Sequence, residues 1–168
     1  MPSDNRLPPD IVETMKSVLI EHVPHARALG LSIVDAARGH SWVSVPYDEK
    51  LIGNVETGVI HGGVITTLLD NACGTAVQLA LPERMSIATL DLRIDYMKPA
   101  TPGLALMAHA HCYKVTRNIA FVRGTAYHTD EADPIATSVG TFMLAANRAT
   151  PTDFPEATGF IAKLGDKA

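Results

Sequence analysis

Apolar residues recur along the chain at two spacings, one helical and one extended. Helical spacing in residues 10–24 predicts an N-terminal helix, and the same spacing in residues 64–79 predicts a second, longer helix. The polar segment 46–56 contains Pro and Gly and is expected to be a loop. Runs typical of β-strands occupy six further segments: 31–35, 42–45, 85–96, 104–115, 119–129 and 135–144.

The last four of these runs are joined by short turn segments, so the strands are expected to pair as an antiparallel meander. One face of such a long sheet must be covered, and only the helix at 64–79 is apolar enough to cover it. We therefore predict an α+β fold in which an antiparallel sheet wraps around a central helix, with an extra N-terminal helix. The length suits a single domain over residues 1–168, with a loose tail at 145–168 that is rich in Thr, Pro and Ala.

The central helix carries a single charge. Asp70 is the only acidic or basic residue in the segment 57–82, whereas a surface helix normally carries several on its outer face. This pattern predicts a helix that is buried on most sides. A carboxylate left buried and unpaired costs roughly several kcal/mol, so Asp70 needs protein partners, water or a substrate. The less apolar side of the helix is otherwise made of small residues: Gly63, Thr66, Thr67, Cys73 and Gly74.

The start of this helix, His61-Gly62-Gly63, has the properties of an oxyanion site. The two glycines let a ligand approach the backbone, and the first amides of a helix have no internal acceptor. These amides can donate to a carbonyl oxygen that gains negative charge during acyl transfer. Asp70 lies eight residues beyond Gly62, or roughly 12 Å along the axis, so one helix cannot bring both to one carbonyl. Two antiparallel helices in a two-fold dimer can, which predicts a site shared between subunits.

Asn54 followed by His61-Gly-Gly-Val-Ile-Thr-Thr-Leu-Leu-Asp70 resembles the motif of the PaaI-like, phenylacetate-degradation-type acyl-CoA thioesterases, which have the hotdog fold. The resemblance implies a hotdog fold and hydrolysis of an acyl-CoA thioester to the free acid and CoA. It implies no cofactor, because CoA is part of the substrate. It covers residues 29–144 and includes three shorter stretches: Thr89-Leu-Asp91-Leu, Tyr96-Met-Lys-Pro99 and Arg117-Asn118-Ile-Ala-Phe121.

The resemblance also implies roles for individual residues. Asp70 would act as general base or nucleophile, and the Gly62 amide would polarise the thioester carbonyl across the dimer interface. Asn54 would lie near the attacking water or the thioester, and Thr89 would help to orient that water. His61 is expected to support the entrance of the helix rather than to act as a base.

Three further residues are expected to contact CoA. Gly63 lies beside the helix entrance, and Arg117 and Asn118 occupy a turn whose family counterpart approaches the CoA phosphates. Asn118 stands where the family usually has Thr. On the strand after the helix, the alternation of side chains also predicts that Thr89 lies on the polar face, opposite Leu90 and its apolar partners.

Charge and the remaining motifs exclude other functions. A formal net charge of −4 argues against a general nucleic-acid binder, which needs a cationic surface. No segment is apolar enough to span a membrane, and Cys73 and Cys112 are too few for a disulfide framework, so we expect a cytoplasmic protein without membrane association. His109, His111 and His128 lie on neighbouring strands, but the sequence fixes no complete ligand set, and no metal site is predicted.

Two other functions remain open from the sequence. A non-catalytic acyl-CoA-binding or sensing hotdog module would work together with a partner or DNA-binding domain. An enoyl-thioester hydratase or dehydratase would need an acidic residue paired with a histidine, and His61 leaves this open. In every case the expected protein partner is a second copy of the chain, since the site requires a homodimer. A homotetramer built as a dimer of dimers is also expected, whereas the acyl group is not readable from the sequence.

Overall fold

A six-stranded antiparallel sheet is the largest element of the chain in a computed structural model that describes residues 6–144. The predicted tail at 145–168 lies outside the described residues. The helices are α1 (Pro9–Lys16), α2 (Pro24–Leu29) and α3 (Gly62–Ala80). The strands are β1 (Ser32–Ala37), β2 (His40–Val45), β3 (Ile52–Asn54), β4 (Val59–Ile60), β5 (Ile87–Tyr96), β6 (Leu106–Val115), β7 (Ile119–Tyr127) and β8 (Ala136–Leu144).

The large sheet has the strand order β1-β2-β6-β7-β8-β5, and β3 and β4 form a separate two-stranded sheet. This arrangement confirms the predicted α+β class with an antiparallel sheet around a central helix. The four predicted C-terminal strands are all present, and β5 crosses over to pair with β8 at the edge of the sheet. Within residues 6–144, no helix has the length and apolarity needed to cross a membrane.

Two predicted segments differ from the structure. The N-terminal helix predicted for residues 10–24 is divided: α1 continues as a π-helical turn at Ser17–Glu21, and Pro24 then begins α2. Proline has no backbone N–H to donate to the preceding helical turn, so it cannot continue that helix. It is favoured in the first turn of a new helix, where the N–H has no intrahelical partner. The segment predicted as a loop at 46–56 contains β3 and a 3-10 turn at Glu49–Leu51.

Helix α3 packs across the inner face of β2, β6 and β7. Leu68, Leu69, Ala72 and Ala76 lie on this side and are fully buried. Burying one leucine contributes roughly 1.5–3 kcal/mol, so this contact is a principal source of stability. The hydroxyl of Ser41 on β2 donates to the Ala72 carbonyl at 2.7 Å, which fixes how the helix sits on the sheet.

The β5 side of the inner face is covered much less. On the inner face of β5, Ile87, Leu92 and Ile94 are half-buried, and Thr89 and Tyr96 are exposed. β5 is also an edge strand, so one side of its backbone has no strand partner within residues 6–144. The side of β5 that faces α3 is therefore only partly covered within residues 6–144.

The outer face of the sheet carries a row of stacked rings on β2 and β6. His40 stacks on His111 with 4.0 Å between ring centroids, and Trp42 stacks on His109 at 4.4 Å. The Nδ1 atom of His40 is 3.1 Å from Nε2 of His109, whose Nδ1 is 2.7 Å from Glu131 Oε1. These rings lie on the face of the sheet opposite to α3.

His128, the third histidine considered as a metal ligand in the sequence, does not belong to this row of rings. His128 is 2.8 Å from the Ala105 carbonyl through Nδ1, and its Nε2 accepts from the Thr101 amide at 2.9 Å. Both ring nitrogens are thus engaged with the backbone. Over the described residues, no group of three or more His, Cys, Asp or Glu is arranged to hold a metal ion.

The row of rings makes the stability of the fold sensitive to acid. Burial and the neighbouring histidines lower the pKa of His40 and His111 from 6.5, although Glu131 acts in the opposite direction on His40. The unfolded chain therefore binds protons that the folded chain does not, and the free energy of unfolding falls as the pH drops below 6.5. We expect His111→Gln to lose less stability than the wild type between about pH 7.5 and about pH 5.5, measured by denaturant unfolding.

The matched control is His25→Gln, because His25 is exposed on α2 and away from the stacked rings. This variant should keep the pH dependence of the wild type. If the free energy of unfolding fell equally with pH in His111→Gln and in the wild type, His111 would not be a source of the acid sensitivity.

Candidate active site

Asp70 is held by a hydroxyl from the sheet. It lies half-buried near the middle of α3, and its Oδ1 accepts a hydrogen bond from Thr89 Oγ1 on β5 at 2.9 Å. A hydrogen bond to a carboxylate is shorter and stronger than one between neutral groups, and it restricts the rotation of the side chain. Two of the predicted catalytic residues, Asp70 on α3 and Thr89 on β5, are therefore in contact.

A β-bulge at Leu90 directs Thr89 towards α3. Thr89 and Asp91 pair with adjacent residues of β8, so Leu90 has no partner there. The extra residue shifts the alternation of side chains by one position. Thr89 consequently shares the inner face with Leu92 and Ile94, and the prediction that it lies on the opposite, polar face was wrong. The sequence alternation across residues 88–96 contains no sign of the bulge.

His61 caps the N-terminus of α3. Its backbone is extended (φ −61°, ψ 134°), and its Nδ1 accepts from the Gly63 amide at 2.9 Å, so the ring proton is on Nε2. The Gly63 amide is therefore satisfied inside the chain. The Gly62 amide has no acceptor among residues 6–144, and of the two glycine amides it is the one that can donate to a ligand.

Tyr96, at the end of β5, holds the same helix start from the side of the sheet. Its hydroxyl donates to the Gly62 carbonyl at 2.9 Å and is 2.9 Å from Thr66 Oγ1. The Thr66 hydroxyl is also within 3.2 Å of the Gly62 carbonyl. Tyr96 was not predicted as a site residue, because it belongs to the apolar series of its strand. The signal was its hydroxyl, which is the one polar group in the series Leu90, Leu92, Ile94 and Tyr96.

An open cleft of about 340 Å³ lies next to this helix start. Apolar side chains make up most of its wall, while the Tyr96 hydroxyl and the Lys98 ammonium are polar, and Lys98 forms an ion pair with Asp133. The cleft can thus hold an apolar group beside the free Gly62 amide. Its lining consists of Val59, Ile60, Gly62, Ile65, Tyr96, Met97, Lys98, Pro99 and Ala100.

Asn54 lies at the turn between β3 and β4. Its side-chain oxygen accepts from the amides of residues 56 and 57 at 2.9 and 3.2 Å, which stabilises the turn. No hydrogen bond joins Asn54 to Asp70 within the described part of the chain. The adjacent Gly53 packs directly against His61, so this small sheet supports the helix cap.

Arg117 and Asn118 are exposed in the turn between β6 and β7. The Asn118 carbonyl accepts from the Leu144 amide at 2.8 Å, next to the start of β5. Gly62 lies at the other end of β5, which spans roughly 30 Å. The turn is therefore at the same end of the sheet as the C-terminus of α3 and far from the start of the same helix.

Cys73 is the one cysteine of α3, and its thiol is buried. Burial, followed by the nearby Asp70 charge, raises the pKa of Cys73 to about 12, although Ser138 opposes this shift. The thiolate is absent at neutral pH, so Cys73 cannot compete with Asp70 as a nucleophile.

The chain is similar to known thioesterases in sequence. The sequence profile of the thioesterase superfamily matches residues 57–135, which contain His61, Asp70 and Thr89. The medium/long-chain acyl-CoA thioesterase YigI of Escherichia coli (strain K12) is 27% identical over 140 residues, which are 76% of this chain and 89% of that protein.

Solved structures confirm the hotdog fold. A crystal structure from Pseudomonas aeruginosa is 43% identical with a TM-score of 0.72, covering 79% of this chain and 98% of that chain. A mutant of the phenylacetic acid degradation protein PaaI from Thermus thermophilus is 26% identical with a TM-score of 0.63, covering 72% of this chain and 98% of that chain.

The contact between the small sheet and the helix cap can be tested at Gly53. An added Cβ would lie 2.7 Å from the Cα of His61 and 3.0 Å from its Cβ, so backbone must move. We expect Gly53→Ala to lower the free energy of unfolding by about 1–3 kcal/mol, measured by denaturant unfolding.

The matched control is Gly62→Ala, at the neighbouring helix start. Its Cβ would meet the Tyr96 hydroxyl at 3.5 Å, which is ordinary van der Waals contact. Its stability should stay near that of the wild type. Equal stability of the two variants would show that Gly53 does not support the cap.

Proposed function

This chain belongs to the thioesterase superfamily, and from that starting point we propose that it hydrolyses an acyl-CoA thioester to the free acid and CoA. The observation that carries the proposal is the Asp70 carboxylate held by Thr89 at 2.9 Å, on a helix that begins with the free Gly62 amide. The similarity to YigI, named as an acyl-CoA thioesterase, supports CoA as the leaving group.

In this proposal, Asp70 and Thr89 align a water molecule for attack on the thioester carbonyl. The water oxygen bonds to the carbonyl carbon while Asp70 takes its proton, and the carbonyl oxygen becomes negatively charged. The Gly62 amide of the partner subunit donates to that oxygen. The C–S bond then breaks, and CoA leaves as the thiolate before it is protonated. Direct attack by Asp70 would give a transient anhydride that water opens, and both routes use the same residues.

The proposal includes a homodimer, which the distances along α3 support. Gly62 and Asp70 are roughly 12 Å apart on one helix, so each site needs the helix start of a second subunit. The unpaired edge of β5 and the partial exposure of Asp70 support this arrangement, because they leave both accessible to a second copy. The homotetramer stays a prediction.

The same dimer gives the CoA contacts a physical basis. Arg117 and Asn118 lie at the end of the sheet that holds the C-terminus of α3. Antiparallel helices would bring that end beside Gly62 of the partner subunit. Arg117 would then face the phosphates of the CoA whose carbonyl is bound there.

The structure offers little support for a hydratase. That reaction needs a histidine paired with the acidic residue, but His61 uses Nδ1 to accept from Gly63 at the helix cap. A non-catalytic acyl-CoA-binding module would leave Asp70 and Thr89 without a chemical role. It would release acyl-CoA intact after prolonged incubation.

The first test is the replacement of Asp70. We expect the wild type to release free thiol from at least one substrate in a panel of aryl-, short-, medium- and long-chain acyl-CoAs. Asp70→Asn should lower kcat by about 10²–10⁴-fold, because the base is lost while the shape is kept. Its unfolding midpoint should stay close to that of the wild type.

The control for this test is Asp91→Asn. Asp91 is an exposed carboxylate on β5, the strand that carries Thr89, and it pairs with Thr141 on the outer side of the sheet. It should turn over substrate like the wild type. Near-normal turnover by Asp70→Asn on a good substrate would refute the proposed role of Asp70.

The second test asks whether the site is shared between subunits. Gly62→Pro removes the amide hydrogen at the first helical position, where proline is favoured. The extended backbone of His61 is also compatible with a following proline. Gly62→Pro should lose far more activity than Gly62→Ala, which keeps the amide.

Mixed dimers of Gly62→Pro with Asp70→Asn provide the decisive measurement. In a statistical mixture, half of the dimers are hybrids, and each hybrid has one site with an intact Asp70 and an intact partner Gly62. Co-expression should thus recover about a quarter of the wild-type activity from two weak variants. No recovery would indicate that each chain builds its own complete site.

A further inference from the structure

A glycine at the first position of a helix does not by itself keep its N–H group in one direction. Glycine has no side chain to pack and the widest backbone freedom, and helix ends fray. A donor for the developing oxyanion must nevertheless point at one place before the reaction begins. The orientation of Gly62 must therefore come from groups that contact its backbone.

Two of these contacts are local to the helix. The Gly63 amide donates to His61 Nδ1 at 2.9 Å, and the Thr66 hydroxyl lies 3.2 Å from the Gly62 carbonyl. Thr66 moves with the first turn of α3, and His61 is held next to the small sheet, where its amide donates to the Leu51 carbonyl at 2.9 Å. Neither contact reaches the large sheet.

The third contact comes from the sheet. The Tyr96 hydroxyl donates to the Gly62 carbonyl at 2.9 Å from the end of β5. Among residues 6–144 it is the only side-chain hydrogen bond that joins the Gly62 backbone to the large sheet. The peptide between Gly62 and Gly63 is thus held at its carbonyl by β5 and at its amide by the cap. The Gly62 amide hydrogen is on the preceding peptide, whose His61 carbonyl accepts from the Val64 amide at 2.9 Å. Gly62 is therefore held on both sides of its Cα.

We infer that Tyr96 is a positioning residue for the Gly62 amide: its hydroxyl ties the helix start to the strand that also carries Thr89. The inference rests on the proposed thioester hydrolysis. Tyr96 acts on the reaction through Gly62, without contact to the reacting carbonyl. Its loss should weaken the binding of the transition state more than the binding of the substrate.

The tyrosine ring also lines the cleft beside Gly62, and the residue is 51% exposed. A role as a wall of the cleft would act on substrate binding. The two effects separate in Tyr96→Phe, which keeps the ring and removes only the hydroxyl. The variant should fold normally, since half of the side chain is exposed.

The experiment compares kcat and KM of Tyr96→Phe with those of the wild type on the best acyl-CoA of the panel. We expect kcat to fall about 10-fold, less than the roughly 10²–10³-fold typical for complete loss of an oxyanion donor. KM should change by less than about twofold. The Kd of an alkyl-CoA thioether, which lacks the carbonyl oxygen, should also stay within about twofold.

The matched control is Tyr47→Phe. The Tyr47 hydroxyl donates to the Gly58 carbonyl at 2.8 Å, so this variant removes a hydrogen bond of the same kind away from the helix start. It should lose similar stability and keep the kcat of the wild type. An equal fall of kcat in both phenylalanine variants would make the effect of Tyr96 merely structural.

Two other results would overturn the inference. An unchanged kcat for Tyr96→Phe would remove the positioning role, and a rise of KM together with the thioether Kd would make Tyr96 a wall of the cleft. Asp70→Asn is measured in parallel. If Asp70→Asn is active, the proposed function fails. If it is inactive while Tyr96→Phe is normal, only the inference about Tyr96 fails.

Discussion

The burial of α3 against the sheet is the constraint on which the other features depend. The helix can enter the fold because its 19 residues contain a single charge, and its leucines and alanines fill the space above β2, β6 and β7. Once the helix is fixed, both of its reactive parts have defined positions relative to β5. Asp70 meets Thr89 in the middle of the helix, and Gly62 meets Tyr96 at its start.

The candidate site divides its chemistry between local and long-range structure. The helix cap at His61 and the free amide at Gly62 arise within a few residues of sequence. The orientation of Asp70 and the fixing of the helix start depend on β5, which is distant in sequence. In the proposed reaction, the base and the oxyanion donor keep a constant separation because they lie on one helix, so the geometry of the site would depend on how two copies of that helix are placed.

This division explains what the sequence predicts and what it does not. The limits of α3 and the fold class follow from the apolar spacing and from the absence of charge around Asp70, which are properties of the segment itself. The support of the helix entrance by His61 was expected from the family resemblance. The bulge at Leu90 was not, because it depends on how β5 pairs with β8, and the predicted face of Thr89 was wrong for that reason. The contact between Tyr96 and Gly62 was missed because it depends on which residue of α3 lies opposite the end of β5.

The two contacts that β5 makes with α3 have a consequence for how the sequence would evolve after a gene duplication. The strand touches its own Asp70 through Thr89 and, further along, its own Gly62 through Tyr96, at two separate points of one helix. If each Gly62 serves the other subunit, one strand supports half of each of two sites. After a gene duplication, a copy that had lost its carboxylate would still be needed as the donor of the helix start. Selection would then preserve Tyr96 and His61 in a subunit that no longer has a base of its own.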